Sequence, residues 1–247
     1  MADLVYPPVI GAARAWFKAL DLRFDIEGTA HVPRRGGALL VSNHIGYLDF
    51  VFAGLAARPA KRLVRFMAKE SVFRHRISGP LMRAMKHIPV DRGDGGDAYA
   101  RALTALRSGE VVGVFPEATI SRSFTLKDFR SGAARLAQEA GVPLVPMALW
   151  GTQRLWTKGR RRDFGRHHLP IGIRVGEAIS VRRGGAGHGS PEEAAAPLTA
   201  RLRERIQELL ESAQRAYPAA PANAADSWWL PAHLGGSAPT PAEAAAL

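Results

Sequence analysis

Short apolar runs alternate with amphipathic stretches along most of the chain. The apolar runs are typical of buried strands; they include residues 37–41 (GALLV), 62–68 (RLVRFMA), 110–115 (EVVGVF) and 142–150 (VPLVPMALW). The amphipathic stretches have helical spacing; they include residues 97–109, 131–141 and 197–217. Strands that alternate with helices predict an α/β fold, here a single domain with a mostly parallel central sheet flanked by helices.

The pattern divides the chain into three parts. Residues 1–21 contain an amphipathic helix over 8–20, a candidate for membrane contact, and residues 22–216 form the α/β domain. Residues 182–193 read as a flexible loop before the last long helix. Residues 217–247 are rich in Ala, Pro and Gly, so we expect much of this tail to be disordered or draped on the surface. Trp228 and Trp229 are the exception, because adjacent tryptophans need burial.

Polar residues interrupt the sequence after the first buried run, in VSNHIGYLDF (residues 41–50). On one continuous helix His44 and Asp49 would point roughly 140° apart. They meet only if a strand ends near Ser42, His44 lies in a turn, and a helix begins around Tyr47. Asp49 then accepts a hydrogen bond from one imidazole nitrogen and leaves the other as a base. The alternative is a helix-capping Asp beside a half-buried structural His.

A membrane span is a second way to interpret this region. Asp49 is the only charged residue between Arg35 and Arg58, a length that can cross a bilayer. Such a span would place Asn43, His44 and Asp49 near its centre, which is costly. Strand, turn and buried helix explain the same residues better.

A second polar cluster follows another apolar run, in VVGVFPEATISRSF (residues 111–124). Its polar members are Glu117, Thr119, Ser121 and Arg122. Because sites in α/β sheets form outside the carboxyl ends of strands, we expect both clusters to face one crevice. The alternative is a proline turn with surface polar residues.

Charge and cysteine content restrict the function classes. The 247 residues contain 34 Lys plus Arg and 22 Asp plus Glu, a net charge of +12, which favours an anionic partner. The absence of cysteine excludes a disulfide framework, a thiolate metal site and a cysteine nucleophile. The N-terminus, with Asp3, two prolines and Lys18, does not have the pattern of a secretory signal.

Basic residues mix with aromatic ones in residues 157–168 (TKGRRRDFGRHH), near Trp150, Trp156 and Phe164, and again along residues 61–86. This mixture suits an anionic membrane surface, although a solvated charged face is the plainer alternative. No nucleic-acid-binding motif is present, and nucleic acid would leave His44 and Asp49 unexplained. We therefore expect a peripheral membrane protein on the cytoplasmic face, with an anionic membrane surface and no nucleic acid among its partners.

The two polar clusters resemble blocks of the glycerolipid acyltransferase family, the lysophosphatidate acyltransferases. NHIGYLD resembles the first block and FPEATIS the third, usually Phe-Pro-Glu-Gly-Thr-Arg-Ser. AKESVF with ISGPLMRAMKHIPVDR resembles the second block, and FRSGAARLAQEAGVPLVPMAL the fourth. The resemblance covers roughly residues 22–185.

That resemblance implies acyl transfer from acyl-CoA or acyl carrier protein to a hydroxyl of lysophosphatidate or a related glycerolipid. His44 is implied as general base and Asp49 as the group that orients it, with no metal and no cofactor beyond the acyl donor. The implied substrate-binding residues are Asn43, Lys69, Arg92, Glu117, Thr119, Ser121 and Arg122, with Lys69 and Arg92 on acceptor phosphate and Glu117 positioning the acceptor or supporting the site.

Two departures from the third block put the acceptor in question. Ala118 stands where the family usually has Gly, and Ile120 where it usually has Arg. That arginine is associated with acceptor phosphate, and Arg122 or Arg130 are candidates to replace it. Otherwise the acceptor is a glycolipid, a lysophospholipid with a head group, or glycerol phosphate.

Two other functions remain as alternatives. A serine hydrolase or thioesterase needs a nucleophilic serine on a Gly-flanked turn, and Ser42 and Ser121 lack those glycines. A non-enzymatic basic membrane-binding module would use His44 and Asp49 only as structural residues.

Overall fold

The computed structural model describes residues 4–91, 93, 95–181 and 190–247. Arg92 and residues 182–189 of the predicted loop therefore lie outside the described residues. The strands are β1 (Arg23–Glu27), β2 (Ala38–Ser42), β3 (Val64–Lys69), β4 (Ile88–Val90), β5 (Val111–Val114), β6 (Leu144–Trp150) and β7 (Pro170–Val175). The helices are α1 (Tyr6–Ala19), α2 (Asp49–Ala56), α3 (Glu70–Arg74), α4 (Ser78–Ala84), α5 (Gly95–Arg107), α6 (Gly132–Ala140), α7 (Pro191–Arg215) and α8 (Pro241–Ala245).

The seven strands form one sheet in the order β1-β7-β6-β2-β5-β3-β4. Neighbouring strands are parallel except β6 and β7, so β1 and β7 run opposite to the other five. This confirms the predicted mostly parallel sheet. β2 lies between β5 and β6, which brings the carboxyl ends of these three strands to the same edge.

Helices cover both faces of the sheet, because successive residues of a strand point to opposite sides. On β2, Leu39 and Val41 pack with α5, α6 and α7, whereas Ala38 and Leu40 pack with α1 and α2. All four residues are buried, as expected for a strand covered on both faces. Phe17 of α1 stacks on Phe52 of α2 at 5.1 Å, so α1 is packed against the domain.

The start of the last long helix differs from the sequence-based prediction. The last long helix begins at Pro191, not at Pro197, so residues 191–193 are helical rather than part of the predicted loop. Ser190 accepts a hydrogen bond from the Glu193 N–H, and the Glu193 side chain accepts one from the Ser190 N–H. This capping box satisfies backbone groups at the first turn and allows the helix to start there.

The C-terminal segment returns to the domain. It forms short 3-10 turns at Ala224–Trp229 and Ala232–Leu234 before α8. Trp229 is 1% exposed and belongs to the core on the α5–α7 face, while Trp228 packs on Phe124 from the loop after β5. Among the residues that the structure describes, no helix is both long and apolar enough to span a bilayer. The region between Arg35 and Arg58 is divided into β2 and α2 instead.

Candidate active site

The turn between β2 and α2 is organised around the Asp49 carboxylate. We call residues 43–49 the histidine turn. Asp49 is fully buried at the first position of α2, where the helix N-terminus favours negative charge. Its Oδ2 accepts hydrogen bonds from Nδ1 of His44 at 2.9 Å and from the N–H groups of Ile45 and Gly46 at 2.7 and 2.8 Å. Its Oδ1 accepts one from the Thr152 hydroxyl at 2.6 Å. The carboxylate is therefore held in one orientation.

The His44 ring is aimed by this carboxylate. The spacing predicted that His44 lies in a turn and Asp49 in the first turn of a helix that begins around Tyr47. The helix begins at Asp49 instead, and the predicted contact is observed. Nδ1 donates its proton to Asp49, so Nε2 carries the lone pair. The ring stacks on Phe115 with centroids 4.3 Å apart, and its side chain is 20% exposed. A group that approaches from solvent thus meets an imidazole whose orientation is fixed by Asp49.

Asn43 holds the sheet together rather than facing the crevice. Its side chain is fully buried; Nδ2 donates to the carbonyl of Leu149 at 3.0 Å and Oδ1 accepts from the Leu149 N–H at 2.7 Å. Both ends of the amide are thereby committed to β6. These bonds give the Asn43 amide a structural role, and its contact with substrate stays a prediction.

The loop after β5 supports His44 from the other side. We call residues 115–130 the glutamate loop. Glu117 is 5% exposed; it accepts from the His44 N–H at 2.9 Å and from the Lys127 N–H at 3.2 Å. Burial, with a smaller contribution from nearby Asp49, raises the pKa of the Glu117 carboxyl to about 8. Of the two roles that the resemblance implied for Glu117, these contacts correspond to support of the site.

Ser121 also points inward. Its N–H donates to the His44 carbonyl at 2.7 Å, and its buried hydroxyl donates to the Thr125 carbonyl at 2.7 Å. The hydroxyl is thus used within the loop, and the contact of Ser121 with substrate stays a prediction. Thr119 is half-buried and accepts from Nζ of Lys127 at 2.7 Å.

The two departures from the third block have structural correlates. Ala118 has a φ of 60°, in the left-handed region where glycine is free of strain and alanine is not. Ile120 is 7% exposed and packs inward. Arg122 is only half-buried, and its Nε has no hydrogen-bond partner among the described residues. A Cβ added to Gly159 would lie 3.8 Å from the Arg122 guanidinium carbon, so the arginine extends toward the loop after β6.

Lys69, another predicted phosphate ligand, lies further along the same edge. Lys69 is exposed at the last position of β3, which is separated from β2 by β5. Arg92 cannot be placed because it lies outside the described residues.

The sequence analysis missed a third group of residues at this edge, immediately after β6. We call residues 151–157 the threonine segment. Besides the Thr152 bond to Asp49, the Thr157 hydroxyl donates to the Ile45 carbonyl at 2.6 Å, and the Tyr47 N–H donates to the Trp156 carbonyl at 3.0 Å. The rule that located the other clusters applies here too, because Gly-Thr-Gln directly follows the apolar run of β6.

A wide cleft elsewhere on the molecule is lined by none of the predicted site residues that the structure describes. Its volume is about 810 Å³, and it lies between α3, α4, β4 and α5. Its arginines already have partners: Arg74 pairs with Glu70, Arg83 donates to the Phe73 carbonyl, and Arg101 pairs with Asp97. Among the described residues, no cluster of His, Asp and Glu has the arrangement of a metal site.

An imidazole base aimed by a buried carboxylate at the strand ends of an α/β sheet is the arrangement of an enzyme that activates a hydroxyl or a water. The chain matches the family model described as Acyltransferase over residues 23–150, more than half of its length. It therefore belongs to the Acyltransferase family, as the sequence blocks suggested.

Curated relatives and a solved structure agree with this assignment. A 1-acyl-sn-glycerol-3-phosphate acyltransferase from Bacillus subtilis is 27% identical over 183 residues, which cover 72% of this chain and 84% of the relative. One of that name from Limnanthes douglasii is 31% identical over 162 residues, 64% of this chain and 55% of the relative. The 1-acyl-sn-glycerophosphate acyltransferase PlsC from Thermotoga maritima has the same fold, with a TM-score of 0.64 at 23% identity over 84% of this chain and 78% of its own.

Proposed function

We propose that this acyltransferase moves a fatty acyl chain from acyl-CoA or acyl carrier protein to a hydroxyl of lysophosphatidate or a related glycerolipid. The observation that carries the proposal is the His44–Asp49 pair, with Asp49 buried among four donors and His44 20% exposed. The names of the curated relatives support the same acceptor class.

In this proposal Nε2 of His44 takes the proton of the acceptor hydroxyl while the hydroxyl oxygen attacks the thioester carbonyl carbon. Asp49 keeps Nδ1 protonated and stabilises the imidazolium that forms, but it does not take the proton itself. When the C–S bond breaks, the imidazolium returns the proton to the leaving thiolate. A base of this kind typically contributes about 10²–10⁴-fold to the rate.

Phe115 and Phe66 connect this site with an apolar cavity that suits the acyl chain. Phe115 stacks on His44 at 4.3 Å and on Phe66 at 6.1 Å. Phe66 lines a cavity of about 90 Å³ between α1 and α2, whose other walls include Val9, Ala13 and Leu55. An alkyl chain that displaced these rings would bury its methylene groups, each worth about 0.8 kcal/mol.

In this proposal Arg122 binds the phosphate of the acceptor. Ile120, in the position where the family usually has Arg, is buried, whereas Arg122 is half-buried and its Nε has no hydrogen-bond partner among the described residues. The planar guanidinium group can bind phosphate through two parallel hydrogen bonds. Lys69 lies at the end of β3, separated from β2 by β5, and we assign it to the outer part of the same anion site. The implied role of Arg92 stays a prediction.

Arg122→Ala tests this assignment. We expect the KM for lysophosphatidate to rise about ten-fold with kcat nearly unchanged, since one charge-assisted contact contributes about 1.5 kcal/mol. Arg130→Ala is the matched control on the same loop, because Arg130 is exposed. An unchanged KM in Arg122→Ala and a raised KM in Arg130→Ala would move the phosphate to Arg130.

An aromatic and basic surface next to the site supports the proposed contact with an anionic membrane. Trp16 of α1 meets Phe164 at 5.1 Å, Phe164 meets Trp156 at 6.4 Å, and Trp156 meets Tyr47 of the histidine turn at 4.7 Å. Tyr47 is 42% exposed. The residues between Trp156 and Phe164 include four exposed cations: Lys158, Arg160, Arg161 and Arg162.

The second basic stretch, over residues 61–86, contributes less to this surface. Arg65 is 3% exposed and pairs with Glu110, while Arg62 donates to the carbonyls of Pro33, Gly36 and Gly109. Co-sedimentation with vesicles tests the role of the first basic stretch, residues 157–168. Replacing Lys158, Arg161 and Arg162 by Gln should weaken binding to anionic vesicles, whereas replacing Arg201, Arg205 and Arg215 on α7 should not.

The defining experiment follows free thiol from acyl-CoA or acyl carrier protein with and without lysophosphatidate. The chain has no cysteine, so it adds no thiol background. Release that depends on the acceptor supports the proposal, and a panel with glycerol phosphate, a lysophospholipid with a head group and a glycolipid then ranks the acceptors. Release without acceptor would instead identify a thioesterase. No release with any donor and acceptor would favour the non-enzymatic module.

A serine nucleophile has no support from the geometry. Ser42 is 2% exposed and its hydroxyl donates to Oδ1 of Asn43 at 3.3 Å, and Ser121 is 1% exposed. Neither hydroxyl contacts the His44 ring, so hydrolysis would have to use water activated by His44.

A further inference from the structure

The two oxygens of the Asp49 carboxylate are held by different parts of the chain. Oδ2 accepts its three hydrogen bonds from the histidine turn itself. Oδ1 accepts from the hydroxyl of Thr152, which is 103 positions further along the sequence. Thr152 is fully buried, and its 2.6 Å contact fixes rotation of the carboxylate about its last torsion. The orientation that aims His44 thus depends on a residue just beyond the segment that matches the family model.

The position of Thr152 is set by a tight turn at the end of β6. Gly151 has a φ of 91°, and a Cβ there would lie 2.3 Å from the Pro170 carbonyl oxygen and 2.9 Å from Oη of Tyr217. Only glycine fits that space, so the chain turns sharply between Trp150 and Thr152. Tyr217, whose hydroxyl donates to Pro170 at 3.0 Å, lies against the outside of this turn.

The C-terminal segment closes over the same turn. We call residues 217–238 the strap. The Gln153 amide donates to the Trp229 carbonyl at 3.1 Å, and the Arg154 guanidinium lies 4.4 Å from the Trp229 ring centroid. Trp229 also packs on Tyr217 at 5.6 Å. Gln153 and Trp229 are at most 1% exposed, so these contacts are shielded from water.

The strap also contacts the glutamate loop and the basic stretch that follows the threonine segment. Trp228 meets Phe124 of the glutamate loop at 6.3 Å and lies 4.9 Å from the Arg160 guanidinium. The two tryptophans therefore contact residues on either side of the crevice. A tail that only lay loosely on the surface would not make these contacts.

We propose that Thr152 is a positioning residue for the His44–Asp49 pair, and that the strap acts through it by holding the turn at Gly151. The proposal rests on the proposed function for its kinetic consequences, but not for its structural ones. Loss of the Thr152 hydroxyl frees Oδ1, and the carboxylate can then rotate away from Nδ1 of His44.

Thr152→Val tests the positioning role, because valine has the shape of threonine without the hydroxyl. We expect kcat to fall about ten-fold, equivalent to about 1.4 kcal/mol, with the KM for both substrates within about two-fold of wild type. Thr152→Ser should restore kcat. The second readout needs no turnover: the hydrogen-bonded Nδ1 proton of His44 should give a low-field NMR signal that weakens in Thr152→Val and returns in Thr152→Ser.

Trp229→Leu tests the strap, and Leu210→Ala is its matched control. Leu210 lies on α7 in the same core cluster and is 1% exposed, but it belongs to none of the three walls. The two variants should lose similar thermal stability. At a temperature where both are folded, Trp229→Leu should lower kcat about three-fold or more and weaken the His44 signal. Leu210→Ala should change neither.

The outcomes separate this proposal from the proposed function. Wild-type kcat and an unchanged His44 signal in Thr152→Val would overturn the positioning role. Equal kcat and equal His44 signals in Trp229→Leu and Leu210→Ala would overturn the role of the strap. If the wild-type protein releases no thiol, the proposed function fails, and the NMR comparison still decides whether Thr152 orders the pair.

Discussion

The histidine turn and the threonine segment face each other across the Asp49 carboxylate, and they differ in how their contacts are encoded. The histidine turn makes its three bonds to Asp49 within residues 44–49. The threonine segment makes its bonds to the turn across more than 100 positions of sequence. The first set is local and can be deduced from spacing, whereas the second exists only after β6 has paired with β2.

The side chains around the site also differ in whether they can act on a substrate or only support the site. His44 is the member of the histidine turn with a ring nitrogen left over for a substrate. Asn43, Glu117 and Ser121, which sequence blocks group with it, direct their polar atoms at backbone groups. A sequence motif thus records both kinds of residue without distinguishing them.

The largest expected effect comes from removing the His44 imidazole. His44→Ala should lower the rate of acceptor-dependent thiol release by about 10²–10⁴-fold, because the base is lost. The fold should persist, since the His44 contacts in the loop are made by its backbone. His75→Ala, an exposed histidine between α3 and α4, is the control. Residual activity above one-tenth of wild type would remove His44 from the mechanism.

The next effect concerns Glu117 and the pH dependence of stability. Burial raises the pKa of the Glu117 carboxyl from its ordinary value of 4.5 to about 8. Between these values the folded protein binds a proton that the unfolded chain has released. The free energy of unfolding should therefore fall as pH rises from 4.5 to 8, by on the order of 4 kcal/mol.

Glu117→Gln cannot ionise and should lose this part of the pH dependence. Denaturant unfolding of both proteins across the pH range measures this dependence. The free energy of unfolding of the variant should rise relative to that of the wild type toward pH 8. Parallel pH profiles for the two proteins would contradict the raised pKa.

Asn43→Ala should weaken the contact between the histidine turn and β6 without changing the His44 side chain. It leaves the N–H and carbonyl of Leu149 unpaired in the core, at a cost of about 3 kcal/mol. Ser42→Ala, which removes one 3.3 Å bond from the neighbouring buried position, should cost less than 1 kcal/mol by roughly the same rule. If both variants lost the same free energy of unfolding in urea, the Asn43 amide would not join the histidine turn to β6.

The smallest effect is expected at Ala118. Its φ of 60° costs an L-residue about 1 kcal/mol, which glycine avoids. Ala118→Gly should therefore raise stability by a few tenths to about 1 kcal/mol, after the greater chain entropy of glycine is subtracted. Gly132→Ala, at the start of α6 with open space around it, is a reciprocal control in a helix. A loss of stability in Ala118→Gly would mean that packing of the methyl group outweighs the strain.

Sequence alone predicted the sheet and the histidine turn because both depend on short-range pattern. Alternating apolar runs define the strands, and the spacing of His44 and Asp49 permits contact only at a strand-to-helix turn. Sequence could not tell that Asn43 and Ser121 point inward, since this depends on which backbone groups β6 and the glutamate loop leave unpaired. It also missed Thr152, because a threonine after a strand has no meaning until the order of strands in the sheet is known.

The order of the strands has a consequence for the growing polypeptide. β2 emerges from the ribosome early, but its neighbour β6 and Thr152 follow about a hundred residues later, and Trp229 later still. A nascent chain therefore carries the histidine turn before it carries the residue that holds Oδ1 of Asp49. Support of the His44–Asp49 pair from Thr152 can form only after β6 has been translated and has paired with β2.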